Sequence, residues 1–164
     1  MKSERFLAGF GWGVVATIGM SLLMIIGLAT GVSPMPKPIP AAIVGQLLGE
    51  GTHRTLIIVL AAIAHFVYGG FWGAALADTT RPVTIWKGIG LSLFLWVLMG
   101  LFLLPALGWG FFGTAIRPKI ALATLILHLV YGITLGWLLD RNLSFPAPSF
   151  QDTGASRTSR RITS

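Results

Sequence analysis

Two histidines and two tyrosines recur in this chain at one spacing, inside segments otherwise made of apolar residues. His65-Phe-Val-Tyr68-Gly69-Gly-Phe-Trp-Gly73 returns 63 residues later as His128-Leu-Val-Tyr131-Gly132-Ile-Thr-Leu-Gly136. The shared pattern is H-x-x-Y-G-x-x-x-G. On a helix, residues three, four and eight positions apart share one face. Each copy therefore makes a stripe in which an imidazole and a phenol lie beside two glycines.

Three chemistries fit such a stripe. In the first, each neutral imidazole hydrogen-bonds a tyrosine hydroxyl or a backbone carbonyl across a helix bundle and fixes helix register. In the second, the two rings face each other and hold a metal ion or a haem iron, since neutral imidazole suits both. Haem b is the cofactor of that reading; the other two readings need none. No haem-attachment motif and no third ligand such as a carboxylate lies within the spans. In the third, His65, Tyr68, His128 and Tyr131 line a polar path for a proton or a small solute. The spans hold no Asp, Glu, Lys or Arg, which counts against ion pumping. No catalytic residue and no dedicated metal site is expected, because phosphate loops, G-x-S-x-G and H-E-x-x-H are all missing.

The glycines have a structural role to play. Glycine at i and i+4 lets a second helix approach closely. Gly69, Gly73, Gly132 and Gly136 are thus the expected helix-packing residues, either between the two motif-bearing spans or against the other two. Aligned at the offset of 63, residues 57–76 and 120–139 share eight of 20 positions, the His, Tyr and Gly matches among them.

These stripes must be positioned by elements that cross a membrane. The chain has 164 residues, 54% hydrophobic and 10% charged, with mean hydropathy +0.81. A soluble domain carries about 25% charge. The net charge of +7 sits in the ends and connections, where it meets anionic lipid headgroups. Without a basic stripe on a soluble face, nucleic acid is not an expected partner. The absence of cysteine excludes disulfides, thiolate metal sites and a cysteine nucleophile.

In chain order, residues 6–32 form an uncharged run longer than the roughly 20 residues that span a bilayer. The run is also too long for a signal-peptide core, and a retained first span is expected. Ser33-Pro-Met-Pro-Lys-Pro-Ile-Pro40 reads as extended, because each proline disfavours helix before it. Residues 41–49 are too short to span and read as a short interfacial helix. Residues 55–77, 88–107 and 120–139 are the second, third and fourth spans, and a glycine–aromatic turn at 107–113 separates the last two. Glu50, His53 and Arg54 mark the return to water in an outer loop, at a spacing too common by chance to imply a site. The chain thus reads as an all-α membrane protein, residues 1–141 forming four transmembrane helices as two parallel-related pairs. Residues 142–164 read as a disordered basic tail.

With both termini inside, the inner segments hold Lys2, Arg5, Arg81, Lys87, Arg141, Arg157, Arg160 and Arg161, against Lys37, Arg54, Arg117 and Lys119 outside. The excess of basic residues favours cytoplasmic termini.

Gly13-Val-Val-Ala-Thr17, Met20, Gly31 to Pro34 and the two motif copies resemble the small multi-pass inner-membrane families of the YagU-like kind, over roughly residues 8 to 140. The resemblance implies a multi-pass fold in a prokaryotic plasma membrane and no particular activity. The leading functional expectation is a non-enzymatic membrane protein that self-associates, as a homo-oligomer, or serves as a subunit of a larger membrane assembly. The alternatives are a small transporter or channel-like protein with a His/Tyr-lined path, and a haem-binding redox subunit.

Overall fold

A computed structural model describes residues 2–49 and 51–143. The tail expected to be disordered lies outside these residues from position 144 on, as do Glu50 and the three tail arginines. The described residues are all-helical, without strands. Six α-helices follow in order: α1 (Lys2–Ala29), α2 (Ile39–Leu48), α3 (Arg54–Thr79), α4 (Ile85–Leu98), α5 (Leu104–Ala106) and α6 (Lys119–Leu143). A π-helical turn, Met99–Leu103, joins α4 to α5, and a 3₁₀ turn, Phe111–Gly113, precedes α6. Four segments are long and apolar enough to cross a membrane: Ser3–Ala29, Arg54–Thr79, Ile85–Ala106 and Lys119–Leu143. Leu22, Ile58, Phe102 and Leu122 point away from the protein on these segments, as lipid-facing residues do.

The helix ends differ from the sequence expectation for local reasons. α1 begins inside the charged N-terminus and stops at Ala29, ahead of the expected 32. There Gly31 turns left-handed (φ 73°) and the Ser33 N–H closes back on the Gly27 carbonyl at 2.8 Å. The proline run is only partly extended. Ile39 and Pro40 already belong to α2, because a first helical turn has no use for proline's missing N–H. α3 begins one residue early, with the His53 imidazole accepting from the Thr55 N–H (3.3 Å) as a cap. The third span starts at Ile85, three residues early, where the Thr84 hydroxyl accepts from the Lys87 N–H. α6 runs past Asp140-Arg141 and takes in Asn142 and Leu143, the first two residues expected in the tail.

The helices pack as two intimate pairs, α1 on α3 and α4 on α6, and α1 against α6 joins them. Arg5 fastens the first pair at one end. Its guanidinium donates to the Ala77 carbonyl near the end of α3 (Nη2 3.0 Å, Nε 3.3 Å), where helix carbonyls lack partners. At the opposite end α2 lies against α3, and the Gln46 side-chain amide donates to the Ala106 carbonyl at 2.9 Å.

Within each pair the glycines bring the backbones together. A Cβ added at Gly73 would stand 2.7 Å from Gly13 Cα, and one at Gly9 would stand 2.8 Å from Ala74 Cα. In the second pair, a Cβ at Gly136 would stand 2.8 Å from Ile85 Cα, and one at Gly88 would stand 2.8 Å from Gly136 Cα. Real Cβ atoms do not approach this closely. At Gly69 the Thr17 hydroxyl fills the space, and at Gly132 the Ser92 hydroxyl does. Of the two packings open from sequence, the glycine faces therefore meet the first and third spans, and not each other.

Candidate functional site

Helical spacing places His65 and Tyr68 on α3 and His128 and Tyr131 on α6. Packing brings all four to one cavity of about 310 Å³. Its walls come from every long helix: Thr17, Met20 and Met24 of α1, Ala64 and Gly69 of α3, Leu95 at the end of α4, and Thr124 and Leu127 of α6. Met35 and the α2 residues Ile39, Pro40, Ile43 and Val44 close it on one side, and Met99 and Leu103 of the π-helical turn contribute another part. A site of this size, mostly apolar with a few convergent polar groups, has the character of a small-molecule pocket.

Although the two motif copies match in sequence, their side chains do different things. Tyr131 is buried, and its hydroxyl donates to the Gly69 carbonyl at 2.6 Å, linking α6 to α3. Tyr68 is 42% exposed and packs edge-on against Trp72. His128 uses Nδ1 toward the Thr124 carbonyl at 2.8 Å, one turn back on its own helix. The His65 Nε2 is buried with no hydrogen-bond partner in the protein. The bond expected from each imidazole across the bundle is therefore not what forms. The hydroxyl of Tyr131 makes the crossing, and His128 bonds within α6.

These bonds settle what the cavity offers. A carbonyl only accepts, so the His128 Nδ1 carries the proton, and the Nε2 of the neutral ring keeps a lone pair. The Tyr131 hydroxyl proton is engaged by Gly69, that of Thr17 by the Gly13 carbonyl (2.8 Å), and that of Thr124 by the Ile120 carbonyl (2.8 Å). Thr124 Oγ1 also accepts from the Trp96 indole and the Thr17 hydroxyl packs on Gly69, which leaves the two imidazoles as the nitrogen acceptors among the lining residues. Methionine thioethers add further lone pairs. The lining contains no carboxylate, ammonium or guanidinium.

An aromatic side chain packs on the π-helical turn. Gly100 leaves room for the Phe112 ring, which would stand 2.9 Å (Cγ) from a Cβ there. Phe112 is held at φ 52°, unusual for a residue with a side chain, and its ring packs on Trp96 at 4.6 Å. Trp96 in turn donates its indole N–H to Thr124 Oγ1 at 3.2 Å. A chain of contacts thus runs from the aromatic turn to a residue of the cavity wall. π-Helical turns recur at functional sites.

Sequence reasoning found the histidines, tyrosines and glycines, and missed the partners and the methionines. Gly13-x-x-x-Thr17 and Gly88-x-x-x-Ser92 carried a signal, since small residues four apart mark close helix contacts. Met20 and Met24, also four apart, share a face of α1, but nothing in the spacing ties them to Met35 or Met99. Among the described residues, no group of three or more His, Asp or Glu side chains could hold a metal ion. Comparison with protein families, with curated proteins and with solved structures finds no match for the chain.

Proposed function

We propose that this chain is a non-enzymatic multi-pass protein of a prokaryotic plasma membrane that carries a small solute in the cavity between its helices. The observation behind this reading is the convergence of His65, Tyr68, His128 and Tyr131 on one cavity within the bundle. The favoured solute is compact, largely apolar and able to donate a hydrogen bond, because the lining supplies acceptors. Self-association would need another surface, since the glycine faces are covered within the chain. The likeness to YagU-like families supports the location and bears no further on the solute.

Phenol, an apolar ring with one donor, is a direct probe. With purified protein in nanodiscs, saturating phenol should raise the unfolding midpoint of the wild type. Binding at one hundred times the dissociation constant stabilises by about 2.7 kcal/mol. His128→Phe, which removes the acceptor, should lose most of that rise. A midpoint indifferent to phenol, or a rise of equal size in His128→Phe, would count against a solute site here. The visible spectrum of the same sample tests the haem alternative: a Soret band would replace the solute reading with a bis-imidazole haem.

For orientation, the lack of native cysteine makes single-cysteine labelling clean. Cysteines at Thr52 and Thr114 should react with an impermeant thiol reagent applied outside the cell, and one at Thr80 should not. Outside labelling at Thr80 alone would invert the topology.

A further inference from the structure

We propose that the cavity binds monovalent copper, Cu(I), with ligands drawn from His65, His128 and the thioethers of Met20, Met24, Met35 and Met99. The inference rests on reading the cavity as a binding site between the helices, and adds an ion as a second occupant that competes there with a hydrogen-bonding solute. The chain has five methionines, and all four after Met1 line this one cavity. Met24, Met35 and Met99 are buried in a single cluster, with Met20 packed against it. Methionine would serve as well as leucine on the lipid-facing surfaces, and none of the four is placed there.

Thioethers hydrogen-bond weakly, so four of them add little for a solute recognised by hydrogen bonds. They are ligands for soft ions, and thioether with imidazole is a donor set that selects Cu(I). Both imidazoles are suited to join them. His128 donates Nδ1–H to the Thr124 carbonyl at 2.8 Å, the outer bond that orients a metal-ligating imidazole and leaves Nε2 free to coordinate. The His65 Nε2 is buried and has no partner in the protein.

Charge points the same way. The cavity lies among membrane-spanning helices and has no carboxylate in its lining. Every donor is neutral, so a bound ion keeps its full charge in an apolar setting. That cost rises steeply with charge and favours a monovalent over a divalent ion. Magnesium and calcium require oxygen ligands, mostly carboxylate, and structural zinc prefers thiolate. The flexible methionine side chains can close on an ion from several sides of the cavity by changing rotamer.

The test uses the full chain in nanodiscs under anaerobic, reducing conditions, titrated with Cu(I) against a colorimetric Cu(I) chelator. One copper per chain is expected, with sulfur and nitrogen neighbours in X-ray absorption. Cu(I) should also abolish the stabilisation by phenol. Met24→Leu and Met99→Leu conserve volume and should still fold. Each should weaken Cu(I) binding by about tenfold or more, as should His128→Phe. Equal affinity in these variants, an all-nitrogen or all-oxygen copper environment, or equally tight Zn(II) would overturn the proposal. If Cu(I) is not retained but phenol still stabilises through His128, the copper assignment fails and the solute site stands. If neither binds, both fail.

Discussion

Gly73→Leu and Gly136→Leu are each expected to destabilise the bundle by about 3 kcal/mol. Gly73 lies where α3 meets α1, and its absent Cβ leaves room for Gly13 Cα at 2.7 Å; Gly136 does the same for Ile85 Cα at 2.8 Å. The obstacle in both places is backbone, which cannot rotate aside as a side chain can. A leucine must therefore push two helices apart along several turns. In a bilayer no gain in apolar burial offsets this, because lipid tails solvate leucine as well as the protein does. Gly11 and Gly90 sit on the partner helices α1 and α4 with nothing within 4 Å of the position a Cβ would take. Gly11→Ala and Gly90→Ala should leave stability unchanged or raise it by less than about 1 kcal/mol. Denaturant unfolding in mixed micelles reads all four variants. Wild-type stability in both leucine variants would show that these contacts do not hold the pairs together.

Tyr131→Ala should cost about 2 kcal/mol, and Tyr131→Phe about 1 kcal/mol. The side chain is 4% exposed, in the cluster with Leu135, Leu139 and Ala16, and its hydroxyl reaches Gly69 on α3. Alanine removes both packing and hydrogen bond. Phenylalanine removes the hydrogen bond alone, so the difference between the variants isolates the ring. The alanine figure lies below that for an aromatic in a water-soluble core, since only the packing part of the burial is lost in lipid. Tyr68→Phe, the same change at the half-exposed copy, should stay within about 0.5 kcal/mol. Equal losses at Tyr68 and Tyr131 would mean that the two copies are equivalent after all.

The difference between the copies bears on the site. A bundle in which both tyrosines crossed between helices would have both phenol hydroxyls engaged. Here one copy ties α6 to α3, while the other leaves the His65 Nε2 without a partner in the protein and Tyr68 half exposed, although both residues line the cavity.

Much of the fold was legible in the residues themselves, because its determinants are local. A bilayer fixes the length of a span, so uncharged runs between charged or proline-rich breaks reveal the four long helices with ends in error by a few residues. Helical geometry fixes which residues share a face, so the His-Tyr-Gly stripes follow directly from their spacing. The short α2 also follows from an apolar stretch too brief to cross. What remained undetermined depends on how the helices are rotated about their axes and which neighbours they meet. A glycine face says that something comes close, and only packing decided that Gly73 meets Gly13 and Gly136 meets Ile85. Two copies with the same residues acquire different bonds because their neighbours differ. The cavity is farther still from local sequence, drawing methionines from α1, the Pro-rich connection and a π-helical turn. At that turn Phe112 fills the space beside Gly100, a contact between residues whose types predict neither partner. Local chemistry thus set the elements and their faces, and the tertiary structure decided what those faces enclose.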